Sequence, residues 1–161
     1  MTTPTKLEES FFKKDAETAA KAILGAYLVR QFPQGNKLVG RVQEVAAYEG
    51  ETKTSSIGML YPPGTIGVST KFGKNLIDIA TEREGKSSCI TLIAANFDWG
   101  THQELIQGPG NLSRTLGIDR SYDGISIKGN DFWIEFRERN KLFIKKRSKT
   151  GSANLIGYFY F

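Results

Sequence analysis

The chain has 161 residues, one cysteine, one histidine and a formal net charge of +5, with 39% apolar and 24% charged residues. That length fits one domain with a real core, and no apolar run is long enough for a membrane-spanning helix. Cys89 alone cannot form an internal disulfide, a single His102 beside it makes a transition-metal site a poor fit, and the pI of about 9.3 permits a polyanionic partner without requiring one.

In chain order, residues 1–9 read as a polar tail with no apolar stretch before Phe11, so no signal peptide is expected and a reducing cytoplasm is the simplest setting. Asp15 can cap a helix whose apolar residues Ala16, Ala19, Ala20, Ile23 and Leu24 form one stripe, with Gly25 as its left-handed stop. Residues 26–32 are β-rich, Pro33-Gln34-Gly35-Asn36 turns the chain, and Lys37 to Tyr48 reads as a long strand. Residues 50–56 are polar and loop-like, and Pro62-Pro63-Gly64 is a turn. Residues 65–72 and 75–81 then form a hairpin across Gly73-Lys74. Ser88 to Ala94 is an apolar strand in which Cys89 is a small buried hydrophobe. His102 falls in a loop. Gly108-Pro109-Gly110-Asn111 turns into a short helix ending at Leu116, and Asp123-Gly124 turns into residues 125–127. Phe132 to Phe136 and Lys141 to Lys146 are further strands, and the aromatic segment 155–161 docks on the core. Strands in hairpin order with few helices predict an α+β single domain on an antiparallel sheet, spanning 1–161.

Generic catalytic motifs are missing: there is no nucleophile elbow, P-loop, paired-His zinc helix or dinucleotide fingerprint. The residues alone lead to a basic α+β domain with room for a DNA partner.

Several segments taken in order go further. Phe11-Phe12, Asp15-Ala16 and Ala20-Lys21-Ala22-Ile23-Leu24-Gly25 come first, then Leu28-Val29-Arg30, Gly40-Arg41-Val42 and Gln43-Glu44-Val45-Ala46-Ala47-Tyr48-Glu49-Gly50. Gly58-Met59-Leu60, Pro63-Gly64-Thr65, Phe72-Gly73 and Gly108-Pro109-Gly110-Asn111-Leu112 with Leu116-Gly117-Ile118 follow. From about Phe11 to Ile118 this succession resembles the alkyladenine (3-methyladenine) DNA glycosylases. The resemblance implies a curved antiparallel sheet with flanking helices and a protruding hairpin that inserts into DNA. It implies double-stranded DNA containing a damaged purine as partner, a flipped base, hydrolysis of its N-glycosidic bond, a monomer, and no metal or organic cofactor. By the same resemblance Phe72 is the wedge, against the plainer alternative of a buried hairpin aromatic. Lys71 and Lys74 meet phosphates, Gly108, Gly110 and Asn111 offer a phosphate seat at a helix start, and Tyr48 stacks on the base.

The departures fall on the chemistry. Ala46 stands where the family has its water-activating Glu, and the loop 51–57 holds no His. Ser69 replaces a stacking Tyr, the pocket Asn maps to Ile79, and the water-holding Arg maps to Ile93. Strand alternation puts Glu44 on the same face as Ala46 and Tyr48. Asp78 lies among Leu76, Ile77 and Ile79, where a carboxylate is costly unless paired or used. Asp78 and Glu44 are therefore the expected catalytic carboxylates, with Glu49 and Glu51 as further options. Ala46, Tyr48, Ser69, Ile79 and Ile93 are expected to line the base pocket. The expected substrates are alkylated purines, with etheno and deaminated purines as further candidates. The alternatives are a catalytically silent damaged-DNA-binding protein and, more distantly, a general interaction module.

Overall fold

A computed structural model of the chain describes residues 4–49, 60–137 and the strands Ile144–Ser148 and Leu155–Tyr160. The loop read over 50–56, with Glu51, lies outside the described residues. In chain order the elements are β1 (Thr5–Lys6), α1 (Ala16–Ile23), β2 (Tyr27–Gln31), β3 (Lys37–Glu49), β4 (Ile66–Lys71), β5 (Lys74–Ala80), β6 (Ser88–Asp98), β7 (Gln103–Gln107), α2 (Pro109–Leu116), β8 (Phe132–Phe136), β9 (Ile144–Ser148) and β10 (Leu155–Tyr160).

α1 forms where the stripe places it. The Asp15 carboxylate accepts the Thr18 N–H at 3.3 Å, Ala16, Ala19, Ala20 and Ile23 are buried, and Gly25 turns left-handed at φ 81°. The first residues are more ordered than a polar tail. Thr5 and Lys6 pair with Phe136 and Glu135, and Leu7 is buried, because the edge of β8 offers backbone partners.

All pairings are antiparallel, in the order β1-β8-β2-β3-β6-β5-β4. Two long strands each serve two neighbours on one edge. β3 pairs with β2 over residues 37–41 and with β10 over 44–48, while β6 pairs with β5 over 89–91 and with β7 over 94–98. β9 extends β10 outward. β7 was not expected from sequence, and β6 runs four residues beyond Ala94. Residues 125–127 make only an isolated bridge from Ser126 to Thr65 in place of a strand.

The core lies on one face of this sheet. Leu38, Val42, Val45 and Ala47 of β3 join Ile90, Leu92, Ala95 and Phe97 of β6, with α1 and the Leu112–Leu116 side of α2 packed over them. The alternation slips once on each strand, between Val42 and Val45 and between Leu92 and Ala95. The β3–β6 register shifts at the same place, so both strands bulge together and the sheet curves there. Gly40 is required at its position: a Cβ would meet the Phe97 ring at 2.6 Å.

Candidate active site

The β4–β5 hairpin turns at Phe72-Gly73, one residue earlier than the expected Gly73-Lys74. Both tip residues are left-handed, φ 52° and 73°, as a two-residue turn matched to strand twist demands. For phenylalanine that conformation costs roughly 1–2 kcal/mol. Its ring is also 92% exposed, at the summit of the hairpin. The turn geometry accounts for the backbone at Phe72 but not for the choice of an aromatic there, since its ring gains no burial in the fold. The Lys71 ammonium stands 5.9 Å from the ring.

Beside the hairpin is a pocket of about 300 Å3, lined by Tyr48, Lys71, Phe72, Lys74, Leu76, Thr91, Ile93 and residues 108–111. Its floor is the sheet face opposite the core. One row crosses five strands there: Gly67, Asp78, Thr91, Ala46 and Gly157 are successive register partners. Register partners share a face, so Asp78, Thr91 and Ala46 lie side by side under the pocket.

Asp78 is 1% exposed. The Thr91 hydroxyl donates to its Oδ1 at 2.5 Å and the Ser69 hydroxyl to its Oδ2 at 3.3 Å. Burial pushes its carboxyl up to about 7; the hydrogen bonds from Thr91 and Ser69 resist this, and the charge on Asp123 adds to it. Among the described residues no cation pairs with it. The Tyr48 phenol is pushed up to about 12 by its own burial and by the charge of Asp78, with Thr91 in hydrogen-bonding reach acting the other way. Thr91 thus links the ring that lines the pocket to the carboxylate behind it.

The expected site residues divide as follows. Tyr48, Ile93, Phe72, Lys71, Lys74, Gly108, Gly110 and Asn111 line the pocket. Asp78, Ser69 and Ala46 form the layer beneath or beside it, Ala46 fully buried. Ile79 does not belong with them. It alternates with Asp78 and so faces the hydrophobic core. Glu44 sits at the bulge, opposite Ala94, and does not line the pocket. Glu49 accepts the Ala16 N–H at the start of α1. His102 is exposed in the β6–β7 turn with Nδ1 2.9 Å from the Thr101 hydroxyl. Thr91, Leu76 and Pro109 are additions. For Thr91 the available signal was a lone polar residue inside the apolar run Cys89 to Ala94.

α2 closes the pocket's other side. Gly108 at φ 98° is its cap and Pro109 its first residue, so Gly110 and Asn111 supply the first-turn N–H donors at the pocket mouth. A Cβ on Gly110 would meet the Lys74 side chain at 2.6 Å. The Ser113 hydroxyl donates to the carbonyls of Asn75, at 2.7 Å, and Gly110. Helix and hairpin are therefore one packed unit, with the Phe72 tip and the pocket held in fixed relation.

Residues 10–154 match the family described as "Methylpurine-DNA glycosylase (MPG)". A relative from Anaeromyxobacter dehalogenans strain 2CP-1 is 33% identical over 143 residues, 81% of this chain and 67% of that protein. One from Chlorobium luteolum is 29% identical over 152 residues, covering 81% and 78%. One from Legionella pneumophila strain Lens is 33% identical over 141 residues, covering 80% and 75%. All three carry the name "Putative 3-methyladenine DNA glycosylase".

Proposed function

Because the chain belongs to the methylpurine-DNA glycosylase family, we propose that it is a monofunctional N-glycosylase that flips a damaged purine from duplex DNA and hydrolyses its glycosidic bond. The observation that carries this reading is the buried Asp78 carboxylate. It is held by two hydroxyls, in one row with Ala46, directly behind the pocket-lining Thr91.

Phe72 enters the minor groove and fills the vacated stack, while the base swings into the pocket against Tyr48. Lys71, Lys74 and the start of α2 hold the displaced backbone. The glycosidic electron pair leaves with the base, and the sugar becomes oxocarbenium-like at C1′. A water adds to C1′. Its proton passes to the Thr91 oxygen as the Thr91 proton moves to Asp78, leaving an abasic sugar, the free base and a protonated carboxyl. Asp78 acts through Thr91 and is a positioning residue. A purine that already carries positive charge, such as 3-methyladenine, leaves neutral and needs no acid, which suits a pocket whose described lining contains no acid positioned for the leaving group. Alkylated cationic purines are therefore favoured over etheno and deaminated ones. The enzyme works as a monomer on DNA.

The test is base release from duplexes bearing methylated purine, ethenoadenine or hypoxanthine, under single-turnover conditions. Release should be fastest for the methylated base, fall at least tenfold in Asp78→Asn, and fall much less in Glu44→Gln. A second reading has one observation in its favour: Ala46 leaves no carboxylate among the described pocket-lining residues. Intact lesion binding with no release on any substrate would replace the enzyme with a damaged-DNA-binding protein.

A further inference from the structure

The same sheet face carries a second hollow, about 620 Å3, away from the hairpin, whose lining includes Tyr27, Lys37, Arg41, Gln43, Asn96 and Arg137. It shares the pocket's face because Leu38 and Val42 point into the core as Val45 and Ala47 do. Lys37, Val39, Arg41 and Gln43 of β3, which alternate with Leu38 and Val42, therefore face the other way.

The groove is organised around cations laid on rings. The Arg137 guanidinium lies 4.6 Å from the Tyr27 ring centre and that of Arg41 5.9 Å, while Lys6 and Lys37 stand 4.2 and 5.7 Å from the Trp133 ring. Glu135 fixes the arrangement by accepting the Trp133 indole N–H at 2.7 Å and the Arg137 Nε–H at 2.8 Å. Asp98 also lines the groove, and its Oδ1 accepts the Gly100 N–H. Among the described residues the lining thus sets Lys37, Arg41 and Arg137 beside the one carboxylate of Asp98, with Arg137 also paired to Glu135. Rings occupied by cations offer charge, not a surface on which bases stack, so the chemistry selects a phosphodiester backbone over exposed bases.

The spacing fits one continuous ligand. Thr91 lies on the pocket floor and Asn96 pairs with Arg41. The five residue steps from one to the other along β6 span about 16 Å. Duplex DNA rises about 3.4 Å per base pair, so a duplex whose axis lies along β6 covers that distance in about five base pairs.

We propose that this groove seats the phosphodiester backbone of the same duplex, about five base pairs to one side of the lesion. The proposal rests on the DNA-glycosylase reading. It is tested by acetylation footprinting of the wild-type protein. The probes are a duplex extending about 12 base pairs on each side of a central abasic-site analogue, the product of the proposed reaction, and two duplexes each cut to about three base pairs on one side. The long duplex should protect Lys71 and Lys37 at least fivefold, and one of the two cut duplexes should protect Lys71 alone. The double variant Lys37→Gln with Arg137→Gln should bind the long duplex about tenfold more weakly, with the salt slope reduced by about 2. Lys71 protected and Lys37 unprotected by every duplex would overturn the groove and leave the DNA reading standing. Neither lysine protected would overturn both.

Discussion

Replacing Asp78 by Asn should make the protein more stable in alkaline buffer and less active. The carboxyl is held near 7 in the fold against an ordinary 3.8. The native state therefore keeps a proton that the unfolded chain releases between those values. Stability must fall as pH rises through that window, by about 1.4 kcal/mol per unit, and level off above it. The full gap corresponds to roughly 4 kcal/mol of penalty on the ionised native state. An amide of the same shape carries no such slope, and the Ser69 and Thr91 hydroxyls can rotate to meet it. Guanidinium unfolding of both proteins at pH 5 and pH 8 measures the difference. The Asn variant should gain about 2–3 kcal/mol on wild type between the two pH values, equivalent to roughly 5–10 °C in Tm for a chain of this size. Base release should be lost in the same variant, as expected where a site stores its cost in the fold. Parallel pH profiles for the two proteins would refute the idea that Asp78 is a strained, uncompensated carboxylate.

The remaining expectations concern its neighbours. Because the ionised carboxylate is the working form and burial raises its pKa, the single-turnover rate should climb with pH around a midpoint near 7; a flat profile from pH 5.5 to 8.5 would argue against a role for Asp78. Thr91→Val keeps the shape of the side chain and removes the stronger donor to Asp78. Its rate profile should move to higher pH, with the maximum also reduced because the relay is broken; an unshifted midpoint would separate the two residues. Phe72→Asn relieves the left-handed tip and should stabilise the hairpin by about 1 kcal/mol while weakening lesion binding at least tenfold, read by thermal unfolding and by titration of labelled duplex. Gly110→Ala pushes a methyl into Lys74 and should weaken DNA binding severalfold with about 1 kcal/mol lost on unfolding.

The helix α1 and the long strand β3 were legible because one stripe and one alternating run are local signals. The resemblance supplied the family, the hairpin tip at Phe72 and the pocket position of Tyr48. It could not supply facing. Position matching assigned Ile79 to the pocket, yet a strand alternates, so its neighbour Asp78 takes the open face and Ile79 the core. The joint bulge of β3 and β6 was invisible for a similar reason: nothing in Gln43-Glu44 marks it, and it sets Glu44 opposite Ala94, away from the residues that line the pocket. Thr91 was hidden because β6 is buried on both faces around it, which erases the period-two pattern. β7 was missed because its residues are largely exposed and carry no inward face.

The shared edge of β3 has a consequence for how the chain reaches this state. The half of that strand carrying Ala46 and Tyr48 receives its partner on one side only from β10, made roughly 110 residues later. During synthesis the backbone beside the pocket therefore stays an open template after α1, β2 and β6 have come together, a period in which another chain can pair with it. Closure of this edge is among the last pairings that synthesis allows. Whatever delays the arrival of β10 lengthens the interval in which a nascent chain is exposed to aggregation.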